Sequence, residues 1–246
     1  MRNYAEVLVF CILTLWSSFC HGQFRVYRAD TRSPEEIQRA GGFLPRGQSV
    51  LRTVAPNISM WNHANGATNG QSLDNDGYVS TAADELVAEQ FLGSMFGGTG
   101  YVYTVAAAPN FIQVAGTLGE FNPFPNEVEY AALGGFRWEQ VIGWTRRERN
   151  FLQEGFVQNP DYNGRQFDSL QANQGEPRLA GFPNGHAAWL VDPWNAFANG
   201  NCGPIPRVRK LLHLRQTDPP TNCGASQTNQ AAAVEYMDRA CAPGLC

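Results

Sequence analysis

Two glutamates stand one residue apart in the stretch NEVEYAALGG, residues 126–135. If this segment is extended, residues i and i+2 point to the same side, so Glu127 and Glu129 place two like charges together. A carboxylate can act as a general base, or it can stabilise a positive charge that develops in a transition state. The ordinary alternative is a solvated strand edge, because glutamate is rarely buried without a partner.

Polar residues of four other types precede this pair along the chain. Arg28 closes the stretch FRVYR, Ser80 and Thr81 close GYVST, and His63 lies in MWNHANG. Each has an ordinary structural explanation: a surface arginine, a serine that caps the following helix, and a buried structural histidine. Taken singly, none of them indicates a reaction; their order along the chain, together with the glutamates, does.

The surrounding pattern predicts an α+β domain with many turns. Ser33, Pro34 and Glu36 form a capping box that begins a short helix, which glycines end. A second helix is predicted over AADELVAEQFLGSM, directly after a strand at 77–81. Further strands are predicted at 24–28, 57–64, 101–108 and 139–148, a mobile loop at 66–77, and loop-rich structure beyond about residue 150.

The first 22 residues have the layout of a secretory signal peptide, with an early arginine, an apolar run and small residues near its end. The apolar run is too short for a membrane span, so we expect residues 1–22 to be removed and the protein to be secreted. The formal net charge of −4 provides no basic surface for nucleic acid. No nucleic-acid partner is therefore expected.

Four of the six cysteines follow the leader, and all four lie beyond residue 200: Cys202, Cys223, Cys241 and Cys246. An even number in an oxidising compartment predicts two disulfides. Three pairings are possible, and the most local joins Cys202 to Cys223 and Cys241 to Cys246. The cysteines show no metal-ligand spacing with the histidines, so no metal site is expected.

Six stretches in the same order resemble the A subunits of cholera toxin and the heat-labile enterotoxins, in the arginine–serine–glutamate class of mono-ADP-ribosyltransferase toxins. The stretches are VYRADTRSPEEIQRAGGFLPRGQS, DGYVSTA, AAAPNF, EVEYAALGGF, GWTRRE and LAGFPNGHAAW. The resemblance covers the whole mature chain. It implies an ADP-ribosyltransferase toxin fold at residues 23–201, in which mixed β-sheets and short helices flank a cleft for NAD.

The resemblance assigns different tasks to the two glutamates. Such enzymes break the bond between nicotinamide and ribose in NAD, through a transition state with oxocarbenium character. Glu129 would stabilise that positive charge and hold the ribose 2′-hydroxyl. Glu127 would orient an arginine acceptor and take its proton, because a carboxylate pairs well with a guanidinium. One carboxylate thus serves the donor and the other serves the acceptor.

The resemblance also implies a set of residues that hold the substrate NAD. Arg28 would brace the site and contact a phosphate or the ribose, and Ser80 would position Glu129. The backbone of Ala29 would hold the nicotinamide amide. The complete predicted NAD-binding set is Arg28, Ala29, Asp30, His63, Ser80, Thr81 and Glu129. Ala82 departs from the pattern, since the enterotoxins have a serine there.

The tail is expected to regulate the enzyme. In the resembling toxins a disulfide closes a loop that proteases nick; here that loop would be 202–223, with basic residues Arg207, Arg209 and Lys210. Residues 224–246 read as a short helical tail over TNQAAAVEYMDRA. That tail shows neither the long helix that threads a receptor-binding pentamer nor a KDEL-type ending. We therefore do not expect a receptor-binding B subunit.

The sequence thus favours a secreted transferase that moves ADP-ribose from NAD to an arginine of a target protein, with action inside a target cell as one option. A heterotrimeric G-protein α subunit is a candidate target. An NAD glycohydrolase is the nearest alternative, although hydrolysis does not need Glu127. An inactive secreted binding protein and a carbohydrate hydrolase are weaker alternatives; the latter needs carboxyl groups about 5 Å or more apart.

Overall fold

The computed structural model describes residues 23–48, 55–66, 72–202 and 219–241. The predicted leader, part of the predicted loop at 66–77, most of the predicted basic loop, and Cys246 lie outside the described residues. Among those described, no helix is both long enough and apolar enough to cross a membrane.

Strands and short helices alternate along the chain. The strands are β1 Arg25–Asp30, β2 Gly42–Phe43, β3 Tyr78–Ala82, β4 Gly100–Ala106, β5 Phe111–Gln113, β6 Glu129–Leu133, β7 Phe136–Arg137, β8 Val141–Glu148 and β9 Phe151–Gln158. The α-helices are α1 Pro34–Arg39, α2 Met60–Asn65, α3 Glu85–Phe96, α4 Val114–Leu118, α5 Gly164–Phe167 and α6 Asn229–Ala240. Short 3-10 helices cover Arg46–Gln48, Gly119–Phe121, Pro125–Glu127, Trp138–Gln140, Pro177–Leu179, Ala187–Leu190, Trp194–Phe197 and Gly200–Cys202.

Seven strands form one sheet in the order β5-β6-β3-β1-β4-β8-β9, and β2 and β7 form a separate pair. The ladders between these strands are antiparallel. Parallel contacts occur as isolated bridges, Asn57 with Asp76 and Ile112 with Asn173. The predicted α+β class is confirmed.

The sheet divides between its two central strands. β1 and β4 pair over six residues, and β3 and β6 pair over five. In contrast, the ladder between β1 and β3 contains the single pair Tyr27 with Ala82. Continuing that register would place Ala29 opposite Ser80, where no ladder pair forms. The backbones of β1 and β3 therefore separate beyond the pair Tyr27 with Ala82. This point lies next to Arg28 and Ser80, where the two strands were predicted to end.

Two large apolar cores lie around this division. One contains Val26, Phe43, Tyr103 and Phe111 and packs β1 and β4 against the small sheet. The other packs α2, α4 and α6 against β3 and β6, and it includes Met60 and Tyr236. The first core also contains Val79 of β3 and Tyr130 and Ala132 of β6, so it joins the two sides of the division.

Several predicted elements are confirmed at the level of individual residues. Ser33 accepts from the backbone N–H of Glu36, and the Glu36 side chain accepts from that of Ser33, as a capping box requires. The predicted helix after β3 begins at Asp84, whose side chain accepts from Leu86 N–H. The helix predicted in the tail is α6, and Thr228 caps it.

Two predictions of secondary structure are wrong. Residues 57–64 were expected to form a strand, but Ser59 caps a helix there: its hydroxyl oxygen accepts from Asn62 N–H, and α2 follows. The chain beyond residue 150 was expected to be loop-rich, but β9 pairs with β8. β9 is exposed along almost its whole length, so it lacks the alternation of apolar and polar residues that indicates a strand.

The predicted disulfide between Cys202 and Cys223 is present. Cys241 is also disulfide-bonded. Beyond Cys223, α6 is part of the body of the protein rather than a detached tail. Ala232, Ala233 and Tyr236 are buried in the core that α2 and α4 share, and the Tyr236 hydroxyl donates to the carbonyl of Pro109.

Replacement of Tyr236 tests how much α6 contributes to stability. Tyr236→Ala should lower the free energy of unfolding by about 3 kcal/mol, because it removes a buried ring and leaves a cavity. Val234→Ala on the same helix is the control, since Val234 is exposed and should change it by no more than about 0.5 kcal/mol. Chemical denaturation under oxidising conditions measures both; equal effects would place α6 outside the core.

Candidate active site

Arg28 spans the gap between β1 and β3. Its Nη1 donates to the carbonyl oxygen of Ser80 over 2.7 Å. That carbonyl lies opposite Ala29, where the ladder is broken, so the guanidinium provides a hydrogen bond that the neighbouring strand does not. Nε of Arg28 is buried and has no hydrogen-bond partner among the described residues.

Asp30 holds Arg28 and Arg32 together. Arg32 reaches both oxygens of this carboxylate, over 2.9 Å and 2.7 Å, and Arg28 Nη2 lies 3.3 Å from Oδ2. Both guanidinium groups also lie over the ring of Phe43, at 5.3 and 5.4 Å from its centroid. Burial would raise the pKa of Asp30, but the two arginines outweigh it and lower that pKa. One carboxylate therefore organises two cations beside the gap.

His63 lies between two carboxylates on the other side of the gap. Its Nδ1 is 2.7 Å from Oδ2 of Asp76, and its Nε2 is 2.9 Å from Oε1 of Glu129. The Ser80 hydroxyl is 3.4 Å from the same Nε2. The side chains of His63 and Asp76 are almost fully buried, and that of Glu129 is 13% exposed. Glu129 thus keeps a small solvent-facing surface while its position is fixed.

The charges of this cluster shift one another. Burial would lower the pKa of His63, but Glu129 and Asp76 outweigh it and raise the pKa to about 10. Burial would raise the pKa of Glu129, but the charge of His63, hydrogen bonds from His63 and Ser80, and the charge of Arg28 lower it. Glu129 is therefore ionised at neutral pH although it is buried.

Ser80 and Thr81 point to opposite faces of β3. Ser80 shares the face of Glu129, because Ser80 pairs with Ala131 and Ala82 pairs with Glu129 across the β3–β6 ladder. The Thr81 hydroxyl instead donates to the carbonyl of Tyr130 over 2.6 Å, in the interior. Ala29 lies in β1 and contacts β4 at Val102. The structure thus brings Ser80, rather than Thr81, to the cluster around Glu129.

A change in backbone conformation at Val128 separates Glu127 from Glu129. It ends the 3-10 helix Pro125–Glu127, and Val128 follows with a positive φ of 45° before β6 begins. The condition that this segment is extended over both glutamates therefore does not hold. Partial burial and the charge of Glu129 raise the pKa of Glu127, while His63 partly offsets them. The two carboxylates occupy different environments, one buried and clamped, the other exposed.

The sequence analysis missed Asp76, Arg32 and Phe43. Arg32 and Phe43 lie in the stretch that carries the resemblance, but nothing in their spacing marks a contact with Arg28. Asp76 stands in the predicted mobile loop at 66–77 and also begins the resembling stretch DGYVSTA, but no role was predicted for it. Among the described residues, no group of three or more histidine, cysteine or acidic side chains could hold a metal ion.

The arrangement can stabilise a cation and bind an anion side by side. Glu129 presents a fixed negative charge, whereas Arg28 and Arg32 present positive charge on the opposite edge of the gap. A substrate with a cationic leaving group and phosphates matches this polarity. The exposed Glu127 lies where a second reactant can reach it.

Comparison with known proteins shows the family to which the chain belongs. The family model described as heat-labile enterotoxin alpha chain matches residues 4–219. The chain belongs to the heat-labile enterotoxin alpha chain family. Heat-labile enterotoxin IIB, A chain, of Escherichia coli is 43% identical over 241 residues, which span 95% of this chain and 88% of that protein.

Two further members or relatives of the heat-labile enterotoxin family extend the comparison. An NAD(+)–arginine ADP-ribosyltransferase, Chelt, of Vibrio cholerae is 38% identical over 226 residues, 89% of this chain and 36% of that longer protein. A crystal structure of an E. coli heat-labile enterotoxin mutant has a TM-score of 0.64 and 38% identity, covering 72% of this chain and 100% of its own.

The raised pKa of His63 makes stability depend on pH. The folded protein holds this proton more tightly than the unfolded chain, in which the pKa of His63 is 6.5. The contribution should be complete below about pH 6.5 and disappear as pH rises through about 10. His63→Gln should abolish this part of the decline in the free energy of unfolding, measured by denaturation at several pH values.

The matched control for that experiment is His186→Gln. Burial lowers the pKa of His186, so its titration contributes below this pH window. The control should keep the decline that wild type shows at alkaline pH. Identical pH profiles for wild type and His63→Gln would contradict the charged arrangement around His63.

Proposed function

We propose that this chain is an NAD-dependent mono-ADP-ribosyltransferase that modifies an arginine of a target protein. Membership of the enterotoxin family and similarity to a protein named as an NAD(+)–arginine ADP-ribosyltransferase support this activity. The observation that carries the proposal is the division of the glutamates: Glu129 is ionised and held, and Glu127 is exposed with a raised pKa.

On the donor side, the bond between ribose C1′ and the nicotinamide nitrogen breaks, and the electron pair leaves with nicotinamide. Glu129 faces the positive charge that develops on the ribose, and its fixed negative charge stabilises that charge. Arg28 supports the opposite edge, and its guanidinium, whose side chain is 24% exposed, would contact a phosphate or ribose oxygen. NAD is a substrate here, and the reaction needs no metal.

On the acceptor side, a guanidinium nitrogen of the target attacks C1′ and loses a proton. Glu127 takes that proton and pairs with the guanidinium before the attack. Its raised pKa makes it a stronger base than an ordinary exposed glutamate. The exposure of Glu127 suits a protein acceptor, which cannot enter a closed cavity.

Secretion, activation and the target of the enzyme form a second part of the proposal. We infer that residues 1–22 direct secretion, that cleavage within 203–218 and reduction of Cys202–Cys223 activate the enzyme, and that it acts inside a target cell. A heterotrimeric G-protein α subunit is the candidate acceptor.

Glu129→Gln should reduce both NAD cleavage and transfer by at least about 10²-fold, because it removes the charge that faces the transition state. Labelled NAD with agmatine as the acceptor measures both activities in residues 23–246, nicked and reduced. Glu120→Gln, an exposed carboxylate on the segment before Glu127, is the control and should retain full activity. Full NAD cleavage by Glu129→Gln would overturn the role of Glu129.

Glu127→Gln should separate the two activities. Transfer to agmatine should fall by at least about 10²-fold, while slow hydrolysis of NAD by water should largely persist, because hydrolysis needs no acceptor-side carboxylate. The same assay gives both rates. Equal losses would contradict the division of labour, and wild type that cleaves NAD without transfer would instead be an NAD glycohydrolase.

A further inference from the structure

Asp76 is a buried carboxylate that the proposed reaction does not use directly. Both of its oxygens are engaged: Oδ2 lies 2.7 Å from His63 Nδ1, and Oδ1 accepts from the backbone N–H of Tyr78 over 3.0 Å. Its side chain is 1% exposed. Neither NAD nor a protein acceptor can therefore reach it, so any effect on the reaction must pass through His63.

The backbone around Asp76 joins three separate parts of the chain. Its carbonyl accepts from Gly47 N–H over 2.7 Å, and the neighbouring carbonyl of Asn75 accepts from Asn57 N–H over 2.6 Å. Gly77 N–H in turn donates to the carbonyl of Asn57 over 2.9 Å. The parts of the chain around Gly47 and Asn57 are thus both attached here. Asp76 is held by backbone contacts that leave it little freedom to move.

The two short contacts of His63 set its protonation state. An ionised carboxylate only accepts hydrogen bonds, and a neutral imidazole donates from one nitrogen alone. Donation from Nδ1 to Asp76 and from Nε2 to Glu129 at once requires a proton on both nitrogens. The ring is therefore an imidazolium, and its Nε2–H fixes one oxygen of Glu129.

We propose that Asp76 is a positioning residue for ADP-ribosyl transfer, which acts by holding the His63 ring so that Nε2–H orients Glu129 toward the ribose. This inference rests on the proposed function of Glu129. Asp76→Asn removes one of the two carboxylates that keep the proton on His63, and a ring that loses this proton can present an Nε2 lone pair to Glu129. Glu129 then loses a donor and shifts, and a displacement of about 1 Å at a reacting group can cost about 10²-fold in rate.

The groups that face His63 define the expected pH dependence. Asp76 and Glu129 contact the ring directly, the Ser80 hydroxyl and the ring of Tyr78 lie beside it, and the charge of Glu127 acts at longer range. Arg28 acts on Glu129. Of these, Asp76 is the only carboxylate with no role assigned in the reaction, so its replacement isolates the effect on His63.

The test compares Asp76→Asn with Asp74→Asn in residues 23–246. Asp74 lies two residues away, and its side chain is 79% exposed, so it reports a change of charge without a change at His63. We expect Asp76→Asn to lower kcat for NAD hydrolysis by about tenfold or more with little change in KM. The alkaline limb of the rate should also move to lower pH, whereas Asp74→Asn should match wild type.

Nitrogen NMR of the imidazoles provides a readout that a purely structural role would not change. At pH 8, His63 of wild type should be protonated on both nitrogens, and His63 of Asp76→Asn should be neutral. In a His63→Gln background, Asp76→Asn should lower the rate no further, since the two residues act as one unit.

Each measurement can overturn the inference independently. A neutral His63 in wild type at pH 8 would do so, even if Asp76→Asn failed to fold. An active wild type with unimpaired Asp76→Asn would do so as well, as would an undiminished effect of Asp76→Asn in the His63→Gln background. A folded wild type that cleaves no NAD would instead contradict the proposed function, whatever the state of His63.

Discussion

A hydrogen bond from a side chain replaces the backbone ladder at the centre of this sheet. The β1–β3 pairing contains one residue pair, and beyond it Arg28 donates to the carbonyl of Ser80. A carbonyl left without a donor in the interior would be costly, so the separation of the strands depends on this guanidinium. The opening between the strands and the approach to Glu129 both follow from that separation. A structural role and a substrate-binding role therefore meet in one residue.

The charges around the opening alternate in sign. Asp30 lies between two arginines, and His63 lies between two carboxylates. Each buried charge has a partner of opposite sign at hydrogen-bonding distance, which compensates the loss of hydration. Glu127 is the exception, because it lies outside this chain of partners and its pKa rises. Paired charges that fix the donor site, beside an exposed base that is not paired with them, can hold one reactant rigidly and leave the other reactant free to vary.

Much of the fold and of the site could be predicted from the sequence. The capping box at Ser33 and the alternating strand at 24–28 act through near neighbours, so local patterns reveal them. His63 was identified through the resemblance. Its segment was wrongly predicted as a strand, because the helix cap at Ser59 outweighs the apolar pattern of the residues around it. β9 and Asp76 were not found. β9 is exposed on both faces, and Asp76 acts through contacts with residues 47, 57 and 63 that no local pattern encodes.

The position of α6 has a consequence for how this chain would come apart. A cut between residues 203 and 218, followed by reduction of Cys202–Cys223, removes the covalent connection there, yet Ala232, Ala233 and Tyr236 remain packed with Met60 and Leu118. The two pieces would then be a non-covalent complex whose lifetime is set by burial rather than by a protease or a reductant. Cutting, reduction and dissociation become three events with separate rates, and the slowest of them sets the time needed to release the enzyme.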